Sequence, residues 1–116
     1  MYLLGIDCGG TSTEALLTTL EGRVLGRGHG GPANYTVNGV SGVLRSVREA
    51  MRGCWAQSGL EEAEAVPQIT LAIGVSGAGR PSEQAELTEA FHPEGFTRVV
   101  VAHDAHIALL GALSGT

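Results

Sequence analysis

Short apolar runs alternate with turn residues at the start of the chain. Residues 2–7 and 12–20 are typical of strands, and the glycine-rich stretch 8–11 between them is typical of a tight turn. A second turn signal at 21–22 precedes a shorter apolar run at 23–27. Consecutive strands joined by tight turns pair antiparallel, so we predict a three-stranded meander.

A different period begins at Val40. Apolar residues then recur every three or four positions over about four turns, which predicts a long helix with Thr36 or Asn38 as its N-cap. The residues on this face are Val40, Val43, Leu44, Val47, Met51, Cys54 and Trp55. The glycine- and proline-rich segment 28–34 before the helix is predicted to be a mobile loop, and 61–65 to be a solvated loop or helix end.

Two nearly continuous apolar runs, 68–75 and 97–103, predict central strands that are buried on both faces. A helix that opens at Pro81 separates them, and a last helix is predicted from Ala105 to about Leu113. The predicted order is β-β-β-α-β-α-β-α, which is the order of an α/β domain.

Composition narrows the class of function. The 116 residues fit one domain, and all seven basic residues are arginines, which excludes a Walker-type phosphate loop and a Schiff-base lysine. The net charge of -5 without a basic run argues against a nucleic-acid partner.

Asp7 interrupts the first apolar run, so we expect no signal peptide or membrane span. Cys8 and Cys54 lack the spacing of a zinc, redox or disulfide motif, so we expect reduced thiols and a cytoplasmic protein. The charge balance, which disfavours nucleic acid, leads us to expect a small-molecule ligand.

The chain has two aspartates, Asp7 and Asp104, and each lies at or just beyond the end of a predicted strand. Ligands of α/β proteins bind at the carboxyl ends of strands. The alternative is structural: Asp7 tightens a turn and Asp104 caps a helix. Two aspartates beside glycine clusters favour a functional role.

The motif "DCGGT" after the first strand has the composition of a phosphate site. Gly9 and Gly10 lack Cβ atoms, so backbone N–H groups can converge on an anion. The carboxylate of Asp7 can hold Mg²⁺ through water, while Thr11 and Thr13 offer hydroxyl groups. We therefore predict contacts to a nucleotide phosphate tail here, with an ordinary hairpin turn as the alternative.

Two other patterns are weaker. Residues 26–31 formally match G-x-G-x-x-G, but Pro32 follows and no helix is predicted to open there, so we discard a dinucleotide site. His103, Asp104 and His106 suggest a metal cluster. They straddle a strand end and a helix start, so we do not expect their side chains to converge.

Three segments together resemble a known family. Leu4-Gly-Ile-Asp-Cys-Gly-Gly-Thr-Ser-Thr, Gly74-Val-Ser-Gly-Ala-Gly-Arg-Pro and Val101-Ala-His-Asp-Ala are similar to motifs of the actin/hexokinase/Hsp70 ATPase superfamily. Within it, the chain most resembles the BadF/BadG/BcrA/BcrD ATPase family, which includes the N-acetylglucosamine kinases. The resemblance covers residues 3–116 and implies a ribonuclease-H-like fold, a five-stranded mixed sheet with helices on its faces.

The resemblance also implies site residues. ATP and Mg²⁺ would lie in a cleft between two domains, with Asp7, Gly9, Gly10 and Thr11 as phosphate and magnesium contacts. Asp104 matches the catalytic aspartate, which accepts the proton of the attacking sugar hydroxyl, although His103 replaces the commoner residue before it.

Three further residues, Asn34, Ser76 and Gly77, match segments that contact the sugar, with a plain turn role open for Asn34.

A complete member of this family would continue beyond Thr116 into a second glycine-rich phosphate turn, an adenosine site and a final helix. We therefore interpret 1–116 as an N-terminal actin-like ATPase or kinase domain without its nucleotide-binding partner domain. An excised domain, a truncated gene product and half of a split protein all remain open. We expect slow turnover by the chain alone, and either self-association through an apolar sheet face or pairing with a C-terminal half.

Three functions follow from the resemblance. The favoured one is an ATP-dependent kinase of N-acetylglucosamine or a related hexosamine. The second is an ATPase that activates a dehydratase or a benzoyl-CoA-type reductase, for which neither Cys8 nor Cys54 is well placed to bind an iron-sulfur cluster. The third is a non-catalytic module that senses a sugar or a nucleotide.

Overall fold

The computed structural model describes residues 1–114, which form five strands and four helices. The strands are β1 (Tyr2–Cys8), β2 (Thr13–Thr19), β3 (Val24–Gly30), β4 (Ile69–Val75) and β5 (Arg98–Ala102). The helices are α1 (Tyr35–Ser58), α2 (Glu62–Ala65), α3 (Pro81–Phe91) and α4 (Ala105–Leu113). Two short 3-10 turns, Val66–Gln68 and His92–Glu94, follow α2 and α3.

The strands form one mixed sheet in the order β3-β2-β1-β4-β5. Strands β1, β2 and β3 pair antiparallel, while β1 pairs parallel with β4 and β4 with β5. The predicted meander, mixed sheet and element order are confirmed, and α2 is an additional short helix within 61–65. The carboxyl ends of β1, β4 and β5 meet at one edge.

Helices cover both faces of the sheet. Leu4, Ile6 and Cys8 of β1 belong to the main core with α1 and α3, whereas Leu3 packs on the smaller cluster around Ala108 of α4. This alternation is the period-two pattern of a strand between two layers. Asp7 therefore lies on the same face as α4.

Strand β5 corrects one prediction. Strand β4 is buried along nearly its whole length, as expected, but four of the five residues of β5 are only partly buried. Strand β5 is at the edge of the sheet, where a neighbour protects one side only. The apolar composition of 97–103 does not distinguish an edge strand from a central one.

Residues 28–30 are a strand, not part of a mobile loop. A Cβ atom added to Gly26, Gly28 or Gly30 would lie 2.6, 1.6 or 2.3 Å from a carbonyl oxygen of α1. The absence of side chains on this face of β3 therefore lets the helix backbone lie directly on the strand. The G-x-G-x-x-G match reflects helix packing in this chain.

The start of α1 also differs from the prediction. The N-cap is Asn34, which lies upstream of both predicted caps and accepts from the N–H groups of Thr36 and Val37. Gly39 has non-helical backbone angles (φ 68°, ψ 177°) and separates the first turn from the rest of α1. The periodic pattern starts at Val40 because the continuous helix starts there.

No helix among residues 1–114 combines the length and hydropathy that a membrane crossing requires.

Replacing Gly28 by alanine tests the contact between β3 and α1. The new Cβ would lie 1.6 Å from the carbonyl oxygen of Ala50. Strand and helix must separate, so we expect the free energy of unfolding to fall by about 3 kcal/mol. Gly31→Ala is the matched control, because its Cβ would make only ordinary contacts, at 3.6 and 3.7 Å. We expect it to change stability by less than about 0.5 kcal/mol. Urea unfolding measures both variants, and equal losses would contradict the packing argument.

Candidate active site

The turn between β1 and β2 presents backbone donors to solvent. The N–H of Gly9 closes the turn on the carbonyl oxygen of Ser12 at 2.9 Å. Gly10 and Thr11 are exposed, and their N–H groups have no acceptor within residues 1–114. Gly10 has no positive φ, and a Cβ there would meet no atom within 4 Å. Neither the fold nor the backbone angle requires glycine at this position, so its open side can admit a ligand.

Two neighbours of the turn point into the protein. Thr13 is fully buried, and its hydroxyl donates to the carbonyl oxygen of Gly31 at 2.8 Å. Burial raises the pKa of the Cys8 thiol to about 12. Cys8 is therefore protonated at neutral pH, and its surroundings do not activate it as a thiolate nucleophile. Cys54 is also buried, and its burial raises its pKa to about 11.

Hydrogen bonds join three loops at the carboxyl edge. The N–H of Ser76 donates to the carbonyl oxygen of Cys8 at 3.0 Å, and that of Ala33 donates to Gly9 at 2.9 Å. The N–H of Tyr35 donates in turn to the carbonyl oxygen of Ser76 at 2.7 Å. The structure thus brings the loops that carry Gly9, Asn34 and Ser76 together.

Gly77 lies close to the loop that carries Asn34. It has a positive φ of 86°, and a Cβ there would lie 2.9 Å from both Asn34 Oδ1 and Thr36 Oγ1. Only glycine fits this turn without displacing Asn34. The predicted sugar-contacting residues are therefore neighbours in space, although they lie about 40 positions apart in sequence.

Asp104 is the N-cap of α4, as the structural alternative predicted. This role does not exclude a second one. Its Oδ1 accepts from the N–H groups of His106 and Ile107 at 2.8 and 3.2 Å. The residue is exposed, and no hydrogen bond to the other carboxylate oxygen is found in residues 1–114. One oxygen fixes the orientation of the carboxylate and the second is available to a ligand.

Gly74 links the two aspartates. It is the β4 partner of Asp7 in register, and a Cβ at Gly74 would lie 2.3 Å from the carbonyl carbon of Asp104 and 2.0 Å from the nitrogen of Ala105. Registered neighbours in a parallel pair face the same side of the sheet. Asp7 and the start of α4 therefore lie on one face, on either side of Gly74.

A groove of about 250 Å³ on this face is lined almost entirely by apolar atoms, and one of the residues that border it is an acid that the sequence analysis missed. Its lining includes Asp7, Glu14 and His106, and Glu14 is directly opposite Asp7 in the β1–β2 pair. The Nδ1 atom of His29 lies 3.0 and 3.1 Å from the two oxygens of Glu14. Glu14 could have been found from the sequence. Asp7 and Glu14 are the one charged residue of β1 and of β2, and the antiparallel pairing of the two strands places them opposite each other.

The donor set suits a cation that keeps most of its water. Within residues 1–114 no three His, Cys, Asp or Glu side chains converge as metal ligands, and His103 and His106 are exposed side chains on either side of Asp104. Mg²⁺ is usually bound by one or two carboxylates, several waters and phosphate oxygens. Asp7, with Glu14 beside it, fits that requirement.

Gly74→Ala tests the crossing of α4 over β4. The Cβ would lie 2.0 Å from a backbone nitrogen, so the β5–α4 junction must move, and we expect a loss of about 3 kcal/mol in stability. The matched control is Gly5→Ala, where a Cβ on β1 would meet no atom within 4 Å. We expect it to unfold at the wild-type urea concentration. If Gly74→Ala did the same, the junction would not depend on this contact.

Two relatives are kinases of amino sugars. The chain is 36% identical over 118 residues to the glucosamine kinase GspK of Vibrio cholerae, with 98% of this chain and 37% of the relative covered. It is 32% identical over 116 residues to the N-acetylmuramic acid/N-acetylglucosamine kinase of Clostridium acetobutylicum, with 97% and 36% covered. The chain thus spans little more than a third of the length of these relatives.

A solved structure and a family model agree with this relationship. A crystal structure from Chromobacterium violaceum, provisionally assigned as an N-acetylglucosamine kinase, superposes with a TM-score of 0.78 at 30% identity. The match covers 99% of this chain and 39% of that one, and confirms the ribonuclease-H-like fold. The model of the BadF/BadG/BcrA/BcrD ATPase family matches residues 4–116. The chain belongs to the BadF/BadG/BcrA/BcrD ATPase family.

Proposed function

We propose that the chain is the N-terminal domain of an ATP-dependent sugar kinase. It would transfer a phosphoryl group from Mg-ATP to a hydroxyl of N-acetylglucosamine or a related hexosamine. The carrying observation is the carboxylate of Asp104, fixed through one oxygen and available through the other, in a residue whose backbone crosses Gly74, the β4 partner of Asp7. Named relatives that are amino-sugar kinases support the substrate class.

The β1–β2 turn is the proposed phosphate end of the site. The unpaired N–H groups of Gly10 and Thr11 would donate to phosphate oxygens, and the missing Cβ of Gly10 leaves room for that approach. Asp7 would hold Mg²⁺ through water. Bound there, Mg²⁺ would neutralise phosphate charge. Because the Thr13 hydroxyl is bonded to Gly31, Thr13 would contribute by fixing the turn, whereas its predicted direct cofactor contact requires that bond to break.

Asp104 is the proposed general base. Its second carboxylate oxygen would accept the proton of the sugar hydroxyl, while Oδ1 stays bonded to the first turn of α4. This anchoring keeps the carboxylate from rotating away from the substrate. Asn34, Ser76 and Gly77, held together at the same edge, form the proposed sugar-binding part.

The described residues would supply one wall of a two-domain cleft. In phosphoryl transfer, positioning and exclusion of water provide most of the rate. We therefore propose that the chain alone turns over very slowly. Polypeptide of the length found in the relatives would supply the adenosine contacts and the closing domain, and the protein would act in the cytoplasm.

Helix α4 has an outer face that favours a partner. Ile107, Leu110 and Leu113 are 47%, 56% and 59% exposed, and α4 carries no Asp, Glu, Lys or Arg. A helix whose exposed face is mainly apolar is usually covered by another part of a protein. This supports, as a proposal, self-association or contact with a further part of the protein.

Asp104→Asn separates catalysis from folding. Asparagine caps helices about as well as aspartate, so α4 should stay intact, whereas the amide cannot accept the sugar proton. In the full-length two-domain protein, we expect kcat for N-acetylglucosamine phosphorylation to fall by about 10²- to 10⁴-fold. Thermal unfolding should shift little. Retained kcat would overturn the assignment of Asp104 as the base.

Gly10→Ala tests the phosphate turn. The fold has room for this Cβ, so stability should change by less than about 0.5 kcal/mol. A phosphate at the turn does not leave such room, so we expect the KM for ATP to rise about tenfold, a cost of about 1.4 kcal/mol. Gly79→Ala, which also adds a Cβ to open space at this edge, should leave the KM for ATP unchanged. Equal KM values for all three proteins would exclude a phosphate contact at Gly10.

A further inference from the structure

The side chain of Asn34 has one function already assigned and one end still available. Its Oδ1 accepts from the N–H groups of Thr36 and Val37 at 2.9 and 3.1 Å, which caps α1. No acceptor for its amide NH₂ is found within residues 1–114. Since the oxygen is engaged twice, Asn34 can offer a ligand only hydrogen-bond donors.

A second asparagine fixes Asn34 from the following turn. Asn38 Oδ1 accepts from the backbone N–H of Asn34 at 2.8 Å, and the backbone N–H of Asn38 donates to the carbonyl oxygen of Asn34 at 2.8 Å. The second of these bonds is the first i→i−4 hydrogen bond of the helical turn, and the first gives the backbone N–H of the N-cap residue a side-chain acceptor. The backbone of Asn34 is therefore held by Asn38 at both its N–H and its carbonyl oxygen.

Two glycines make room for this arrangement. Gly39, with φ 68° and ψ 177°, ends the first helical turn directly after Asn38. A Cβ at Gly42 would lie 2.7 Å from the Cβ of Asn38, so any larger residue there would push Asn38 aside. The pattern N-G-x-x-G at 38–42 thus leaves room for the side chain of Asn38, which turns back toward Asn34.

The same turn is anchored on its other side. The N–H of Tyr35 donates to the carbonyl oxygen of Ser76, and the hydroxyl of Tyr35 donates to Glu86 of α3. The hydrogen bond to Glu86 raises the pKa of Tyr35. Residues 34–38 therefore form a short unit, separated from the continuous helix by Gly39 and attached to the β4–α3 loop and to α3.

We propose that Asn38 is a positioning residue that holds the Asn34 amide as a hydrogen-bond donor to an acceptor oxygen of the sugar. The proposal rests on the proposed function and deepens it. It assigns the polarity of the contact: a hydroxyl or acetyl oxygen of the sugar must accept. Asn38 itself does not touch the sugar.

Asn34→Asp separates donation from capping. A carboxylate caps α1 through the same two N–H groups but cannot donate at neutral pH. When N-acetylglucosamine is titrated into the full-length two-domain protein in a calorimeter, we expect the affinity of Asn34→Asp for the sugar to be about tenfold lower, or lower still, than that of wild type. The melting temperature should be retained. Unchanged affinity in Asn34→Asp would overturn the assigned polarity.

A pair of variants at position 38 tests the positioning role. Asn38→Ala removes the acceptor for the Asn34 N–H, and we expect the KM for N-acetylglucosamine to rise about tenfold with the KM for ATP unchanged. Asn38→Asp restores an acceptor and should restore the sugar KM. The control Ser41→Ala alters an exposed position of α1 beyond Gly39 and should match wild type.

The outcomes separate this inference from the function on which it rests. A wild-type protein that neither binds nor phosphorylates the sugar would refute the proposed function. If wild type is active and Asn38→Ala has a wild-type KM for the sugar, the positioning role is refuted. A rise in both KM values that Asn38→Asp does not reverse would show a general structural effect and would also refute it.

Discussion

The close crossing of the β5–α4 junction over Gly74 is the contact on which the candidate site depends. Parallel pairing of β1, β4 and β5 brings three strand ends to one edge, but pairing alone does not determine how near the start of α4 lies to Asp7. The distance is set by the missing side chain on β4, where even one methyl group would overlap the backbone of Ala105. Asp104 can therefore cap α4 and remain beside the face that carries Asp7. The structural and catalytic interpretations of Asp104 are compatible because they use different oxygens.

A second set of glycines determines where the other half of the site lies. Close packing of β3 on α1 fixes the height of the long helix above the sheet, and thus the place where its first turn meets the β4–α3 loop. That first turn, 34–38, is not a rigid extension of the helix, since Gly39 interrupts it. Its position comes from hydrogen bonds to Ser76 and Glu86. Loop residues at this edge are thus held by specific polar contacts on a scaffold packed backbone to backbone.

The sequence allowed good prediction of whatever depends on local period and chain order. Apolar runs and turn residues indicated every strand, and the two aspartates were placed at strand ends because so few acids interrupt those runs. Features that depend on tertiary contact were missed. The glycines at 28–30 indicate a loop by local preference, yet they belong to a strand, and the absence of side chains there lets α1 pack against the strand backbone. Asn34, Thr36 and Asn38 are all acceptable caps locally, and only the position of Ser76 and the break at Gly39 select Asn34. Thr13 is indistinguishable from Thr11 in sequence, but the strand period turns it inward.

The charges at this edge give a physical reason for a cation in the proposed reaction. Asp7, Glu14 and Asp104 are acidic, the chain contains no lysine, and two carboxylates stand directly opposite each other in the β1–β2 pair. Such a like-charge pair opposes folding unless something compensates it, and within residues 1–114 His29 forms a hydrogen bond with Glu14 and none with Asp7. A nucleotide phosphate tail would add further negative charge to the same region. A divalent cation between the carboxylates and the phosphates would therefore favour the proposed binding of ATP, and Asp7 is the residue that we propose to hold it.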